Sequence, residues 1–286
     1  MMNKEKLTVI ILNYNSSLEC EKCISFCQKQ KYDNLNIIVV DNASTNQNEK
    51  IILQQICREK KIRVIFNSKN RGFSAGNNVG LRVAIQEGAE WMLIINPDVE
   101  LRDSNYISHV MEEVKNWPDV AVVGTNVVLP NGEKQNPMYE MTAIEEILWP
   151  LGINKKRLAR WSDKNKTGYC DKVCGCCFFI SKKFLEKNNY LDESVFMYCE
   201  EPILAKSVIR FGLKELYINE VTANHEHYVQ QKNKNFKTRM LYFLESRIYY
   251  IKKYSEYGVV LKKIAICSRK IQMLMWKYKK DKGKNR

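Results

Sequence analysis

Apolar positions along the first hundred residues alternate between two periods. The run LTVIIL, Leu7–Leu12, is apolar on both faces, which predicts a strand buried on both sides. Ser17 to Gln30 predicts a helix. NIIVV, Asn36–Val40, predicts a second strand, and Asn48 to Lys60 a helix whose Ile51, Ile52, Gln55 and Ile56 share a buried side. Arg63–Phe66 predicts a third strand. Ser74 to Gln86 predicts a helix that stops at Gly88, and WMLII, Trp91–Ile95, a fourth strand. Strands alternating with helices imply parallel βαβ units with right-handed crossovers, an α/β class of fold.

Each predicted strand is followed by Asn or Asp: Asn13 and Asn15, Asp41 and Asn42, Asn67 and Asn70, Asn96 and Asp98. Open parallel sheets bind ligands beyond the carboxyl ends of their strands. One such junction signals a turn or a cap; four in succession point to a site. The second half is less regular. Val120–Val128 predicts a strand followed by a Pro130-Asn131-Gly132 turn, Pro137 to Lys166 a polar flap, Val173–Ile180 a buried strand, and Glu201 to Phe211 a helix stopped by Gly212. From Phe236 the pattern is helical almost to the end.

The 286 residues are 45% hydrophobic, enough for a full core, with no repeat or low-complexity tract. The polar opening and the short first apolar run predict no signal peptide, and no window predicts a membrane span, so a cytoplasmic chain is expected. Its ten cysteines are then expected as thiols. Cys20, Cys23 and Cys27 share a helix face, and Cys174, Cys176 and Cys177 lie in the predicted buried strand; all six read as small core hydrophobes rather than zinc ligands.

Five stretches resemble the family 2 glycosyltransferases of the GT-A fold, especially those that build bacterial surface polysaccharides, with rhamnosyltransferases among them. They are VIILNYNS (Val9–Ser16), VVDNAST (Val39–Thr45), NRGFSAGNNVG (Asn70–Gly80), INPDVEL (Ile95–Leu101) and LDESVFMYCEE (Leu191–Glu201). The resemblance covers about residues 7 to 228. It implies a Rossmann-like domain over 1–235 with a mostly parallel sheet, extended by C-terminal helices over 236–286. It also implies an inverting enzyme that moves a sugar from a UDP- or dTDP-sugar to a glycan or lipid-linked saccharide in cell-surface polysaccharide synthesis.

Site residues follow from the same resemblance. Asn13, Asn15, Asp41, Asn42, Asn70, Gly72, Gly76 and Asn77 would form the nucleotide site. Asp41 would accept from the imide N–H of the base, and its other reading is a turn before a helix. The glycines would let backbone amides approach the nucleotide at a helix N-terminus. Asn96-Pro97-Asp98 stands where the family has a DxD motif, so Asp98 would bind Mg²⁺ or Mn²⁺, with His225 as second ligand and His227 in reserve. Glu201 aligns with the catalytic base, and Glu200 stays open as the alternative because Pro202-Ile203-Leu204 departs from the usual continuation. Pro202 is expected at the first helical position. The same departure keeps a second function open, a non-catalytic nucleotide-sugar binder of this fold.

Charge is uneven. From Lys252 to Arg286 twelve Lys or Arg stand against two acids, a net +10 of the chain's +14. Val260, Ile264, Cys267, Ile271, Leu274 and Tyr278 form a stripe there, with Lys262, Lys263, Arg269, Lys270 and Lys277 elsewhere on the helix. Such a helix suits either attachment to anionic lipid at the inner face of the plasma membrane or packing on the domain. No nucleic-acid motif accompanies the charge, and no nucleic-acid partner is expected.

Overall fold

The computed structural model describes residues 5–151, 165–226 and 236–278. In chain order its elements are β1 (Leu7–Asn13), α1 (Ser17–Gln28), β2 (Leu35–Asp41), α2 (Glu49–Glu59), β3 (Arg63–Phe66), α3 (Phe73–Gln86), β4 (Trp91–Ile95), β5 (Val99–Glu100) and α4 (Tyr106–Glu113). There follow β6 (Val120–Val128), α5 (Ala143–Leu148), β7 (Gly168–Cys170), β8 (Cys177–Ser181), α6 (Lys182–Asn188), α7 (Glu200–Arg210), β9 (Lys214–His225), α8 (Phe236–Lys253) and α9 (Val259–Tyr278).

The strands form one sheet in the order β3-β2-β1-β4-β8-β6-β9-β5, with β7 pairing β9. The half from β3 to β4 is entirely parallel. Beyond it β8 runs antiparallel to both β4 and β6, and β9 is parallel to β6. Alternation along the strands fills two cores. Leu7, Val9 and Ile11 of β1 face α1 and α2, while Ile10 faces α3. Each fully buried Ile or Leu contributes about 1.5–3 kcal/mol.

Several elements differ from expectation. The buried side of α2 is Leu53, Ile56 and Cys57, leaving Ile51 and Ile52 exposed. The alternative stripe i, i+3, i+4 meets the sheet. Of the predicted Val173–Ile180 strand only Cys177–Ile180 pairs in the sheet, within a strand that runs on to Ser181; the chain turns at Gly175 and Cys176 just before it. Pro202 is the third residue of α7, still within the first turn, where a missing N–H costs little. The two-residue β5 carried no signal of its own and exists by pairing with β9. Strand β9 first follows β6, shifts register between Ile218 and Thr222, and ends opposite β5. Of the expected flap, 152–164 lies outside the described residues, and Thr142 caps α5 with a reciprocal Glu145 contact.

A buried ion cluster ties the C-terminal helices to this frame. Glu146 on α5 accepts from Arg247 Nε of α8 at 2.8 Å and from Arg269 Nε of α9 at 2.7 Å, and its carbonyl accepts from Arg269 at 2.6 Å. Glu146 and Arg269 are both fully buried. Burial alone would raise the Glu146 carboxyl, but the two guanidiniums outweigh it and hold its pKa below the usual value. Trp149 lies under the Arg269 guanidinium and packs on Phe243.

Arg269→Ala leaves Glu146 half-paired in the interior, and stability should fall by about 3–5 kcal/mol. Urea unfolding checks this, and a loss under ~1 kcal/mol would show that the cluster does not fasten α9. Because the Glu146 pKa is lowered on folding, its contribution is complete above the unfolded value near ~4.3 and disappears as pH falls through the folded one. The difference between wild type and variant should therefore shrink in acid.

Candidate functional site

The carboxyl ends of the parallel strands converge as expected, but they do so in two polar layers. Asn13 and Asp41 are fully buried at the centre of the deeper layer. Asn13 Nδ2 donates to Asp41 Oδ1 at 3.0 Å and to Glu49 Oε1 at 3.3 Å, and Asp41 Oδ2 accepts from the Ser44 amide at 3.1 Å. Asn15 accepts from the amides of Thr45 and Asn46, both at 2.8 Å. Asp41 thus ties down the loop after β2 by accepting from the Ser44 amide. Gly76 and Asn77 also lie below the surface. A Cβ on Gly76 would come within 2.6 Å of the Leu12 side chain, so that glycine serves the packing of α3 on β1.

Above this layer opens a cavity of about 330 Å³. Asn42, Asn70, Gly72 and Asn96 line it together with Glu200 and Glu201. Asn42 Nδ2 donates to Asn70 Oδ1 at 2.9 Å and to the Gly72 carbonyl at 3.1 Å, and Asn42 Oδ1 accepts from Asn67 at 3.2 Å. Gly72 has φ +95°, and a Cβ there would stand 2.2 Å from the Phe196 carbonyl. Only glycine lets these two chain segments pass, and the Phe73 amide then donates to that same carbonyl at 3.0 Å.

Glu200 and Glu201 open α7 just after Tyr198 and Cys199, which hold φ of +71° and +65°. Such left-handed backbone in bulky residues costs energy and persists only where neighbours impose it. Helix α8 imposes it here. Tyr242 packs on Phe196, Arg239 donates to the Tyr198 hydroxyl at 2.8 Å, and Ser246 donates to the Met197 carbonyl at 2.8 Å. Glu201 Oε1 accepts from the Gly175 amide at 3.3 Å. Burial first, and the Glu201 charge second, push the Glu200 pKa up, so Glu200 retains its proton more readily than an ordinary carboxyl.

Asp98 and His225 meet where β5 pairs β9. His225 Nε2 stands 3.3 Å from Asp98 Oδ1, and the Glu226 amide donates to the Asp98 carbonyl at 2.8 Å. On its other side the ring reaches Gln135 Oε1 at 2.7 Å through Nδ1. An amide oxygen only accepts, so Nδ1 is the donor in that contact, and Nε2 is the ring nitrogen that faces Asp98. A carboxylate and an imidazole nitrogen at one point suit Mn²⁺ or Mg²⁺, provided that substrate oxygens complete the shell. Among the described residues no three His, Cys, Asp or Glu converge on such a point. His227 lies outside the described residues.

Sequence reasoning missed Gln135 and the Cys174-Gly175-Cys176 loop. Gln135 carried no signal, since a lone Gln after a turn is unremarked in any pattern. The glycine between two cysteines was the available clue to a close approach rather than a strand interior: a Cβ there would stand 3.1 Å from the Glu201 carboxylate.

The Glycosyl transferase family 2 model matches residues 8–187. Agl10 of Haloferax volcanii, a low-salt glycan biosynthesis hexosyltransferase, is 27% identical over 201 residues, 69% of this chain and 59% of its own length. This chain thus spans about three fifths of that relative. The rhamnosyltransferase WbbL of Escherichia coli is 23% identical over 226 residues, 73% of this chain and 81% of its own. In fold the chain is similar to the mannosyltransferase PcManGT of Pyrobaculum calidifontis in complex with GDP-Man and Mn²⁺, with TM-score 0.62 and 14% identity over 98% of this chain and 77% of that one.

Gln135→Ala frees the His225 ring to turn and to change tautomer. Mn²⁺ affinity in the presence of a nucleoside diphosphate, read from the electron paramagnetic resonance of free Mn²⁺, should fall roughly 10- to 100-fold. Unchanged affinity would remove Gln135 from the site.

Proposed function

The chain belongs to glycosyl transferase family 2, and from that membership and the make-up of its cleft we propose that it is an inverting transferase acting on a nucleoside-diphosphate sugar. The observation that carries the reading is that one cavity is lined by both Asn42, Asn70 and Gly72 and the Glu200–Glu201 pair. The nucleotide binds over the Asn13–Asp41 layer, which shapes its floor. The diphosphate reaches the end of β4, where Asp98 and His225 would hold Mg²⁺ or Mn²⁺. A bound cation supplies charge neutralisation for the departing diphosphate.

Glu201 is the base. It takes the proton of the acceptor hydroxyl as that oxygen bonds to the anomeric carbon from the face opposite the nucleotide. The bond from that carbon to the β-phosphate oxygen breaks, and the configuration inverts. The raised proton affinity of Glu200 fits a neutral neighbour, so that only one of two adjacent carboxyls carries charge. The Gly175 amide donates to Glu201 Oε1 and holds the base in place.

UDP or dTDP is the nucleotide expected from the sequence motifs. PcManGT was solved with GDP-Man, so the test includes all three bases. Agl10 and WbbL, by name a glycan-building hexosyltransferase and a rhamnosyltransferase, support a saccharide acceptor. We place that acceptor in cell-surface polysaccharide synthesis, as a glycan or lipid-linked saccharide presented at a membrane.

Thermal-shift measurements against UDP-, dTDP- and GDP-sugars, with and without Mn²⁺, should find one base that stabilises the protein in a metal-dependent way. With that donor, Glu201→Gln should lower nucleoside diphosphate release by ~10²–10⁴ while donor affinity is kept. Glu200→Gln should be milder. A large loss at Glu200 alone reverses the roles, and no loss at either position rejects the mechanism.

A further inference from the structure

The face that α9 turns outward is its apolar one. Val260, Ile264, Cys267, Ile271, Leu274 and Tyr278, three or four residues apart, form one stripe along the helix. All are exposed, Val260 to 69%, Leu274 to 52% and Tyr278 to 82%. On the opposite side Ala265 and Arg269 are fully buried. The helix has therefore put an arginine inside and left isoleucine and leucine outside, the reverse of the usual order. The cause is the Glu146 cluster, which takes Arg269 by Nε and Nη2 and so sets the roll of α9 about its axis.

Lysines border this stripe. Lys263, Lys270 and Lys277 recur every seven residues on one flank, all exposed. The helix from Val259 to Tyr278 contains no acid. In sequence it is followed by Lys279, Lys280, Lys282, Lys284 and Arg286 against the single Asp281. Among the described residues no helix is long and apolar enough to cross a membrane. A 20-residue helix with an apolar stripe, a cationic flank and no acids has the features of one lying in the headgroup plane of a bilayer.

We propose that the exposed face of α9 docks on an anionic lipid surface, with the stripe entering the headgroup boundary and Lys263, Lys270 and Lys277 meeting lipid phosphates. The occupant is identified by charge. A protein partner or a second copy of this chain would cover the stripe without needing a row of lysines beside it. The proposal deepens the transferase reading and rests on it only for its purpose. Helix α8, which packs on α9, also fixes Phe196, Met197 and Tyr198 on the cleft wall. A docked hairpin would thus hold the cleft at a set distance from lipid-borne acceptors.

The test is sedimentation of the full chain with sucrose-loaded vesicles of phosphatidylcholine alone or with phosphatidylglycerol. Binding is expected only with the anionic lipid, and it should weaken with salt. Lys263→Gln/Lys270→Gln/Lys277→Gln should lower the partition coefficient on the order of 100-fold. Ile271→Asp/Leu274→Asp should abolish binding with unchanged circular dichroism and melting, since both side chains are exposed. Absence of wild-type binding to the anionic vesicles, or binding that survives in both variants, overturns the proposal. So does a wild-type dimer that Ile271→Asp/Leu274→Asp converts to monomer without lipid, which would assign the face to a second copy. Donor binding, followed separately by calorimetry without vesicles, keeps the two readings apart. Its retention while vesicle binding fails rejects the docking alone, and its absence while vesicles bind rejects the transferase reading alone.

Discussion

The antiparallel pairing of β8 with β4 joins the two halves of the site. β4 is the last of the four parallel strands, and its final residue Ile95 pairs with Cys177, the first of β8. The residues just before β8 must then lie beside those just after β4, and the Asn96 amide donates to the Cys176 carbonyl at 2.8 Å. From that seam Gly175 reaches Glu201, while Asn96 leads to Asp98 two residues on. The register is fixed by packing. Cys177 and Phe179 fill one core while Phe178 and Ile180 fill the other, so a slip by one residue would turn every side chain to the wrong face.

The second constraint acts through charge rather than apolar area. Replacing a buried ion cluster by well-packed hydrophobic residues is often neutral or stabilising, so Glu146, Arg247 and Arg269 need not add stability over such a core. What the cluster specifies is orientation. A guanidinium makes directional bonds where an isoleucine makes none, and Arg269 donates to the Glu146 carboxylate, the Glu146 carbonyl and, within its own helix, Gln272 Oε1. That choice decides which side of α9 faces water, and through α8 it steadies the loop carrying Tyr198 and Cys199.

The cleft is organised by contacts within the protein. Asn13, Asp41 and Glu49 satisfy one another below the cavity floor, and Asn42, Asn67 and Asn70 do so at its wall. The left-handed backbone at Tyr198 and Cys199 is strain held by α8, and it aims the first turn of α7 at the cavity. Burial first, and the adjacent Glu201 second, raise the pKa of Glu200 at this helix start.

The sequence by itself determined the parallel half of the fold, because continuous apolar runs and the glycine stop Gly88 are local signals that packing had no reason to override. It also located the polar residues at the strand ends and the carboxylate pair. It did not separate Asp41 and Asn77, which are buried, from Asn42 and Asn70, which line the cavity, since all are small polar residues after or near a strand. The buried face of α2, the turn through Cys174 to Cys176, the pairing of β5 and the contact of Gln135 with His225 were decided only in three dimensions. Each depends on a partner far away in the chain: β9 for β5, His225 for Gln135. The face of α9 shows this most directly. Periodicity defined the apolar stripe, but whether it turned inward or outward was set by a carboxylate at residue 146, because a buried charge must be met by an opposite one wherever the chain can supply it.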